Sequence, residues 1–184
     1  MAVEALKQRL VRLRVPLGFV LGAVVLLLAS PTAMSIATGT AVALLGLVVR
    51  AWACGHLRKN EQLATDGPYA YTRNPLYLGS FLLGLGLVLA ANKFILFVIY
   101  VFFYLTVYWP VMLAEQEVMY NLFPEAYSEY ALRVPLFFPR LKPWPGRNKG
   151  NFDVKLYLRY REYRALFGTL LTLATLVAKA YLIS

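Results

Sequence analysis

Gly67-Pro68-Tyr69-Ala70-Tyr71-Thr72-Arg73-Asn74-Pro75-Leu76-Tyr77-Leu78-Gly79 is a polar, conformationally stiff run that ends where a long apolar run begins. Pro68 and Pro75 each fix φ and remove a backbone donor. Each also pushes the residue before it away from helix, so Gly67 and Asn74 are expected in extended or turn conformations. Pro75 suits the first turn of a helix, where a missing N–H costs nothing. Arg73 and Asn74 are therefore expected at the mouth of an apolar helix, on its water side. On spacing alone the stretch reads more readily as an ordinary loop followed by a helix-start proline.

Downstream of this corner, residues 75–91 form one apolar run and residues 94–114 another, separated only by Asn92-Lys93, a helix-hairpin turn signal. The 17 and 21 residues rise roughly 25 and 31 Å at ~1.5 Å per residue, comparable to the hydrocarbon core of about 30 Å. Joined by two residues, the runs must lie antiparallel, so their far ends are neighbours. One far end carries Arg73 and Asn74, and the other carries Glu115, Gln116 and Glu117. Ionisable groups at such a depth are costly and mark either a site or an ion pair anchoring the hairpin. Pro110 is expected to kink the second run or loosen its hydrogen-bond ladder, and Tyr108 and Trp109 suit a membrane interface.

The rest of the chain has the same character. With 60% apolar and 15% charged residues among 184, it departs from a soluble domain, which has about 45–50% and about 25%, and reads as one multi-span membrane domain. Residues 15–29 and 33–53 are two further apolar runs, and Lys7, Arg9, Arg12 and Arg14 before them fit a short amphipathic surface helix. A basic start before an apolar run also resembles a secretory signal peptide, but the further apolar runs favour an uncleaved first span. Gly18 and Gly22 form a small-xxx-small pair that permits close helix packing. Residues 153–164 read as a short amphipathic helix, and residues 165–183 as a fifth span that either crosses or lies against the bundle. The expected fold is thus all-α, an integral membrane bundle of about five transmembrane helices with a polar cap.

Charge fixes the expected orientation. Of 19 Lys and Arg, 17 fall on the side of the N-terminus, leaving only Lys93 and Lys179 opposite, so the positive-inside rule places the N-terminus and the Arg73 corner in the cytoplasm. The net charge of +10 flanks apolar runs rather than forming a basic domain, which argues against nucleic acid. Cys54 is the sole cysteine, which excludes an intrachain disulfide and a multi-cysteine metal site. It reads as a packing residue. No metal is expected. His56, the sole histidine, is either a proton acceptor or a bystander.

Gly67, Pro68, Tyr69, Tyr71, Arg73, Pro75, Tyr77 and Gly79, followed by Glu115, Phe123, Tyr127, Tyr130, Val134, Pro135 and Pro139, resemble in order and gap the membrane methyltransferases that include isoprenylcysteine carboxyl methyltransferases and bacterial phospholipid methyltransferases. The resemblance covers roughly residues 40–140. Asn74 stands where that family has His, Gln116 replaces the second Glu of a pair, Met119 a Leu and Pro124 a Gly. The resemblance implies methyl transfer from S-adenosylmethionine to a membrane-embedded amphiphile at the cytoplasmic interface, in the inner membrane of a prokaryote. The acceptor would be a lipid amine, or an isoprenoid or lipid carboxylate or thiol.

It also implies site residues. Arg73, Glu115 and Glu117 would be catalytic. Tyr69, Arg73, Asn74, Tyr77 and Gly79 in the first block, and Glu115, Gln116, Tyr127 and Tyr130 in the second, would bind the cofactor. Asn74 hydrogen-bonds but cannot titrate, so acid–base work would fall to Glu117 or His56. Two other readings fit the residues: a non-catalytic bundle binding lipid or a partner, and an NADPH enzyme resembling sterol reductases, for which no Gly-rich dinucleotide loop is visible.

Overall fold

The computed structural model describes the backbone of residues 2–58, 62–145 and 151–183 and, within these, the side chains of residues 13–182. Helices α1 (Ala2–Leu28), α2 (Ala33–Cys54), α3 (Pro75–Ala91), α4 (Phe94–Phe103), α5 (Trp109–Leu122) and α8 (Tyr163–Ile183) build the bundle, and α6 (Pro124–Arg133) and α7 (Val154–Arg159) cover one end. The described residues contain no strand. Three helices are long and apolar enough to cross a membrane, Ala33–Cys54, Phe94–Leu122 and Tyr163–Leu182, and the apolar stretches Leu13–Leu28 and Pro75–Ala91 are shorter. The protein is an all-helical membrane bundle.

The α3–α4 hairpin forms as the sequence requires. Pro75 opens α3 with Asn74 at φ −128°. Asn92 closes the helix in the left-handed region at φ 55°, and its N–H bonds the Leu89 carbonyl. The side chain of Asn92 also bonds the Ser30 carbonyl at 3.2 Å, and Ser30 N–H bonds Ala91 at 2.9 Å. The α1–α2 and α3–α4 connectors thus share one end of the bundle. Along the hairpin, Tyr100 and Tyr104 donate to the Phe81 and Tyr77 carbonyls of α3 at 2.8 and 2.7 Å.

Three features differ from the sequence reading, and a fourth, at Pro110, follows it. The helix beginning at Phe94 does not end near Ala114 but continues to Leu122, so Glu115, Gln116 and Glu117 lie within α5 rather than beyond it. Pro110 does loosen the ladder: residues Tyr104–Tyr108 form a π turn, in which Trp109 N–H bonds the Tyr104 carbonyl. The first helix is continuous from Ala2 to Leu28 through Pro16 instead of a surface helix followed by a span, while the side chains of Lys7, Arg9 and Arg12 lie outside the described residues. The amphipathic helix expected over residues 153–164 shrinks to α7, because Arg161 takes φ 57° and breaks it before α8 starts at Tyr163.

Helix α8 runs the height of the bundle. Near its start Glu162 pairs with Arg50 of α2. Near its end Lys179 donates to the Leu26 and Leu27 carbonyls at 2.8 and 2.7 Å, where a cation is favoured by the α1 C-terminal dipole. Between α2 and α3, Gly39, Gly46, Gly79 and Gly86 let the two backbones touch: a Cβ on Gly79 would stand 2.8 Å from the Gly46 carbonyl oxygen and 2.9 Å from the Arg50 nitrogen. Gly18 and Gly22, by contrast, have nothing within 4 Å of a Cβ, so that pair does not mediate packing here.

Candidate functional site

The corner that precedes α3 is built by local chain chemistry. Gly67 adopts φ +54°, a conformation glycine takes without penalty, and residues Gly67–Ala70 make one 3₁₀ turn behind Pro68. Tyr69 is buried against Ala53, Ala64, Leu57 and Leu76. Tyr130 of α6 donates to the Tyr69 carbonyl at 2.6 Å. The segment after α6 then runs alongside the corner: Arg73 N–H bonds Pro135, Arg140 N–H bonds Tyr71, and Trp144 N–H bonds Ala70. Thr72 bonds the Leu136 and Phe137 carbonyls, and the Asn74 amide donates to Leu136 at 3.0 Å.

Two polar clusters result at the shared end of α3 and α5. In the first, Arg73 Nη1 donates to Gln116 Oε1 at 2.9 Å and to the Tyr127 hydroxyl at 3.3 Å, and its guanidinium carbon lies 5.8 Å from the Tyr127 ring centre. Arg73 Nε is buried with no hydrogen-bond partner. In the second, Tyr77 donates to Glu115 Oε1 at 2.7 Å. Arg14 of α1 donates to the Tyr77 hydroxyl at 2.7 Å and lies 3.6 Å from Glu115.

The structure thus brings together Arg73, Gln116 and Tyr127, and separately Tyr77 with Glu115. The partner of Arg73 on α5 is Gln116, not either glutamate. Glu117 is exposed on α5, about 200° around the helix from Glu115 at ~100° per residue. Tyr69, Tyr130 and Asn74 are engaged with backbone or apolar neighbours, and Gly79 faces α2. His56 belongs to another cluster, bonded to the Trp52 carbonyl at 3.0 Å and packed edge-on to Phe152. Cys54 is buried, its thiol 3.8 Å from the Leu156 carbonyl, as a packing residue would be. Burial pushes the Tyr69, Tyr127 and Tyr130 phenols up, with Arg73 opposing the shift at Tyr127 and Tyr130.

Sequence reasoning missed Arg14 and Glu162. Arg14 carried a usable signal, since the charge count put it at the same end as Glu115. Glu162 pairs with Arg50 through two bonds of 3.0 and 2.7 Å, and Arg50 also bonds Ser80. A separate, mainly apolar groove of about 250 Å³ lies between α2 and α7–α8, lined by Leu44, Val48, Tyr157, Glu162 and Leu166 among others. Among the described residues, no group of three or more His, Cys, Asp or Glu side chains is placed to hold a metal ion.

The sequence profile of a family described as phospholipid methyltransferase matches residues 17–126, which include both ends of the Arg73–Gln116 bond. The chain belongs to the phospholipid methyltransferase family. It is 33% identical over 117 residues to the cobalt-zinc-cadmium resistance protein CzcN of Cupriavidus metallidurans, covering 62% of this chain and 54% of that protein. It is 35% identical over 96 residues to the nickel-cobalt-cadmium resistance protein NccN of Alcaligenes xylosoxydans xylosoxydans, covering 51% and 45%. A more distant similarity, 28% over 81 residues, covering 44% and 34%, is to the protein-S-isoprenylcysteine O-methyltransferase of Schizosaccharomyces pombe. The chain therefore spans about half or less of the length of these curated relatives. No solved structure matches. The family resemblance drawn from the Gly67–Gly79 block and the Glu115–Pro139 block is borne out.

Proposed function

We propose that the protein is an S-adenosylmethionine-dependent methyltransferase acting on a membrane-embedded amphiphile at the cytoplasmic face, where α3 begins. The observation that carries this reading is the state of Arg73: Nη1 is committed to Gln116 and Tyr127, while Nε is buried without a partner. A buried donor left unpaired costs about 1–3 kcal/mol, so an acceptor supplied by a ligand would relieve it. A carboxylate matches the guanidinium fork, and the cofactor carries one. Fit is further supported by Glu115, an exposed carboxylate at the same end of the hairpin that suits an ammonium group or ribose hydroxyls.

S-adenosylmethionine, when bound, supplies an electrophilic methyl group on a sulfonium. The protein's part is to hold nucleophile and methyl in line. Arg73 clamps an anionic group and, being unable to lose its proton, is no base. Tyr127 and Tyr77 add an aromatic face and a hydroxyl, and a tyrosine face attracts a sulfonium by roughly 0.5–2 kcal/mol. Gln116 and Tyr127 position Arg73. Asn74, whose amide holds the Leu136 carbonyl, fixes the chain beside Arg73 and takes no part in proton transfer. An amine acceptor also needs a proton acceptor; Glu117 lies about 200° around α5 from Glu115 and His56 belongs to the Trp52–Phe152 cluster, so Glu115 is the carboxylate proposed for that role. A carboxylate acceptor needs none. A rate rising with pH near neutrality identifies the amine, and a flat profile the carboxylate.

The test is isothermal titration of detergent-purified protein with S-adenosylhomocysteine. Saturable binding is expected, weakened roughly tenfold or more (~1.4 kcal/mol) by Arg73→Gln and by Glu115→Ala. Absence of binding by the unmodified protein would overturn the reading. Unchanged affinity in both variants would remove the two role assignments.

A further inference from the structure

Val134-Pro135-Leu136-Phe137-Phe138-Pro139-Arg140-Leu141-Lys142 follows α6 without regular structure, yet it reaches into the bundle. Phe137 is 6% exposed, and its ring centre lies 5.8 Å from those of Phe81 and Tyr104 and 6.2 Å from that of Trp109. Phe81 is six residues inside α3, about 9 Å along its axis. The whole of α3 rises only about 25 Å, less than a hydrocarbon layer of about 30 Å. With α3 centred in that layer, the ring of Phe137 would stand at the level of the acyl chains. Beside it, Leu132, Phe138 and Leu141 are 86%, 74% and 99% exposed.

Irregular backbone at membrane depth survives only where its polar groups are satisfied. Here they are. Pro135 and Pro139 have no N–H. The Pro135 carbonyl accepts from Arg73 N–H at 2.9 Å, the Leu136 carbonyl from Thr72 and Asn74 at 3.2 and 3.0 Å, and the Phe137 carbonyl from Thr72 at 2.9 Å. Arg140 N–H bonds Tyr71 at 3.0 Å. Three cations, Arg133, Arg140 and Lys142, alternate with the exposed apolar side chains, and Arg140 Nη1 donates to the Arg133 carbonyl at 2.9 Å. Exposed apolar side chains interleaved with cations are the pattern of a segment lying in a lipid interface.

We infer that residues 132–142 form a hook that inserts Leu132, Phe138 and Leu141 into the leaflet at the Arg73 end and binds anionic phospholipid headgroups through Arg133, Arg140 and Lys142. This is independent of the methyl-transfer reading. The experiment places an environment-sensitive fluorophore on Phe138→Cys or Leu141→Cys in full-length protein reconstituted in vesicles of phosphatidylcholine, alone or mixed with phosphatidylglycerol. The unsubstituted protein, treated identically, reports any labelling of the buried Cys54. The expected result is emission shifted to shorter wavelength, loss of iodide quenching and strong quenching by lipids brominated near the headgroup end of the chain. The shift should be larger with phosphatidylglycerol, and that increment should vanish in the triple variant Arg133→Gln, Arg140→Gln, Lys142→Gln. Water-like emission with full iodide quenching at both positions would overturn the insertion. Shielding from iodide without quenching by brominated lipid would mean a protein contact and overturn lipid as the occupant. Identical behaviour in both vesicles would overturn the anionic-headgroup assignment.

Discussion

Arg73 donates to Gln116 at 2.9 Å across 43 residues of sequence, tying the corner that precedes α3 to α5. Both side chains are only partly exposed, so the bond is sheltered and its loss is felt. Gln116→Leu keeps bulk but withdraws the acceptor, which leaves the guanidinium with Tyr127 alone. We expect a loss of about 1–3 kcal/mol. Gln116→Glu replaces a neutral acceptor with a charged one, and charge-assisted bonds are roughly twice as strong as neutral ones. Thermal melts in one detergent should therefore rank Gln116→Glu at or above the unmodified protein and Gln116→Leu below it. The reverse order would show that the bond is not formed in solution.

Arg50 and Glu162 give a second, more severe prediction. Their side chains are 22% and 12% exposed and join by two short bonds. Removing one partner of a buried pair strands the other charge and costs about 3–5 kcal/mol. Glu162→Gln and Arg50→Met should each destabilise strongly. The double substitution Arg50→Met with Glu162→Leu should cost less than the sum of the corresponding single changes, because it leaves no charge behind. Melting temperatures of the complete mutant cycle measure this, and additive losses would sink it.

How far the sequence carried the site depends on helix phase. The hairpin was legible because Pro75, Asn92-Lys93 and two run lengths are local signals, and they force the Arg73 and Glu115 ends together. Which of Glu115, Gln116 and Glu117 meets Arg73 was not legible. The π turn at Tyr104–Tyr108 puts an extra residue into the helix, rotating everything after it by ~100°. Pro110 announced a disturbance but not its size or sense. The Arg50–Glu162 pair was hidden for another reason. Its partners are 112 residues apart, and Glu162 lies where a left-handed residue, Arg161, interrupts an otherwise plausible amphipathic pattern. The roles of Thr72 and Asn74 as holders of the hook depend on a chain crossing that no spacing rule encodes.

Tyr130 yields the pH prediction. Its hydroxyl donates to the Tyr69 carbonyl at 2.6 Å, and burial raises its pKa above the usual 10, as it does for Tyr69. A phenol protonated more tightly in the folded than in the unfolded state contributes stability that is fully present below pH ~10 and lost as pH rises through the folded value. Stability should therefore be level with respect to these groups from neutrality to about pH 9 and fall beyond 10. Ultraviolet titration should show tyrosines that ionise only with unfolding. Tyr130→Phe should lower stability at neutral pH by about 1–3 kcal/mol, because the Tyr69 carbonyl loses its partner, and should soften the alkaline loss. An unchanged alkaline profile in that variant would assign the loss to other groups.

The glycine positions separate packing from composition. A Cβ on Gly86 would fall on the Gly39 carbonyl and the backbone of Ala43, and one on Gly46 would stand 2.7 Å from the Gly79 carbonyl oxygen. These atoms belong to helix backbone and cannot swing aside, so Gly86→Ala and Gly46→Ala must push α2 and α3 apart, at about 1–3 kcal/mol for overpacking. At Gly18 and Gly22 the same substitution meets nothing within 4 Å, and replacing a mid-helix glycine by alanine should stabilise by roughly 0.5–1 kcal/mol. The sequence shows the same residue type in an apolar helix at all four positions, so only the seam distinguishes them. Melting temperatures of the four single variants, measured in one detergent, should split into two lowered and two level or raised. Because Gly79 abuts Arg50, and Arg50 bonds Glu162, the seam variants should also weaken the Arg50–Glu162 coupling measured in the mutant cycle. Equal shifts at all four positions would mean that α2 and α3 do not meet along this glycine face.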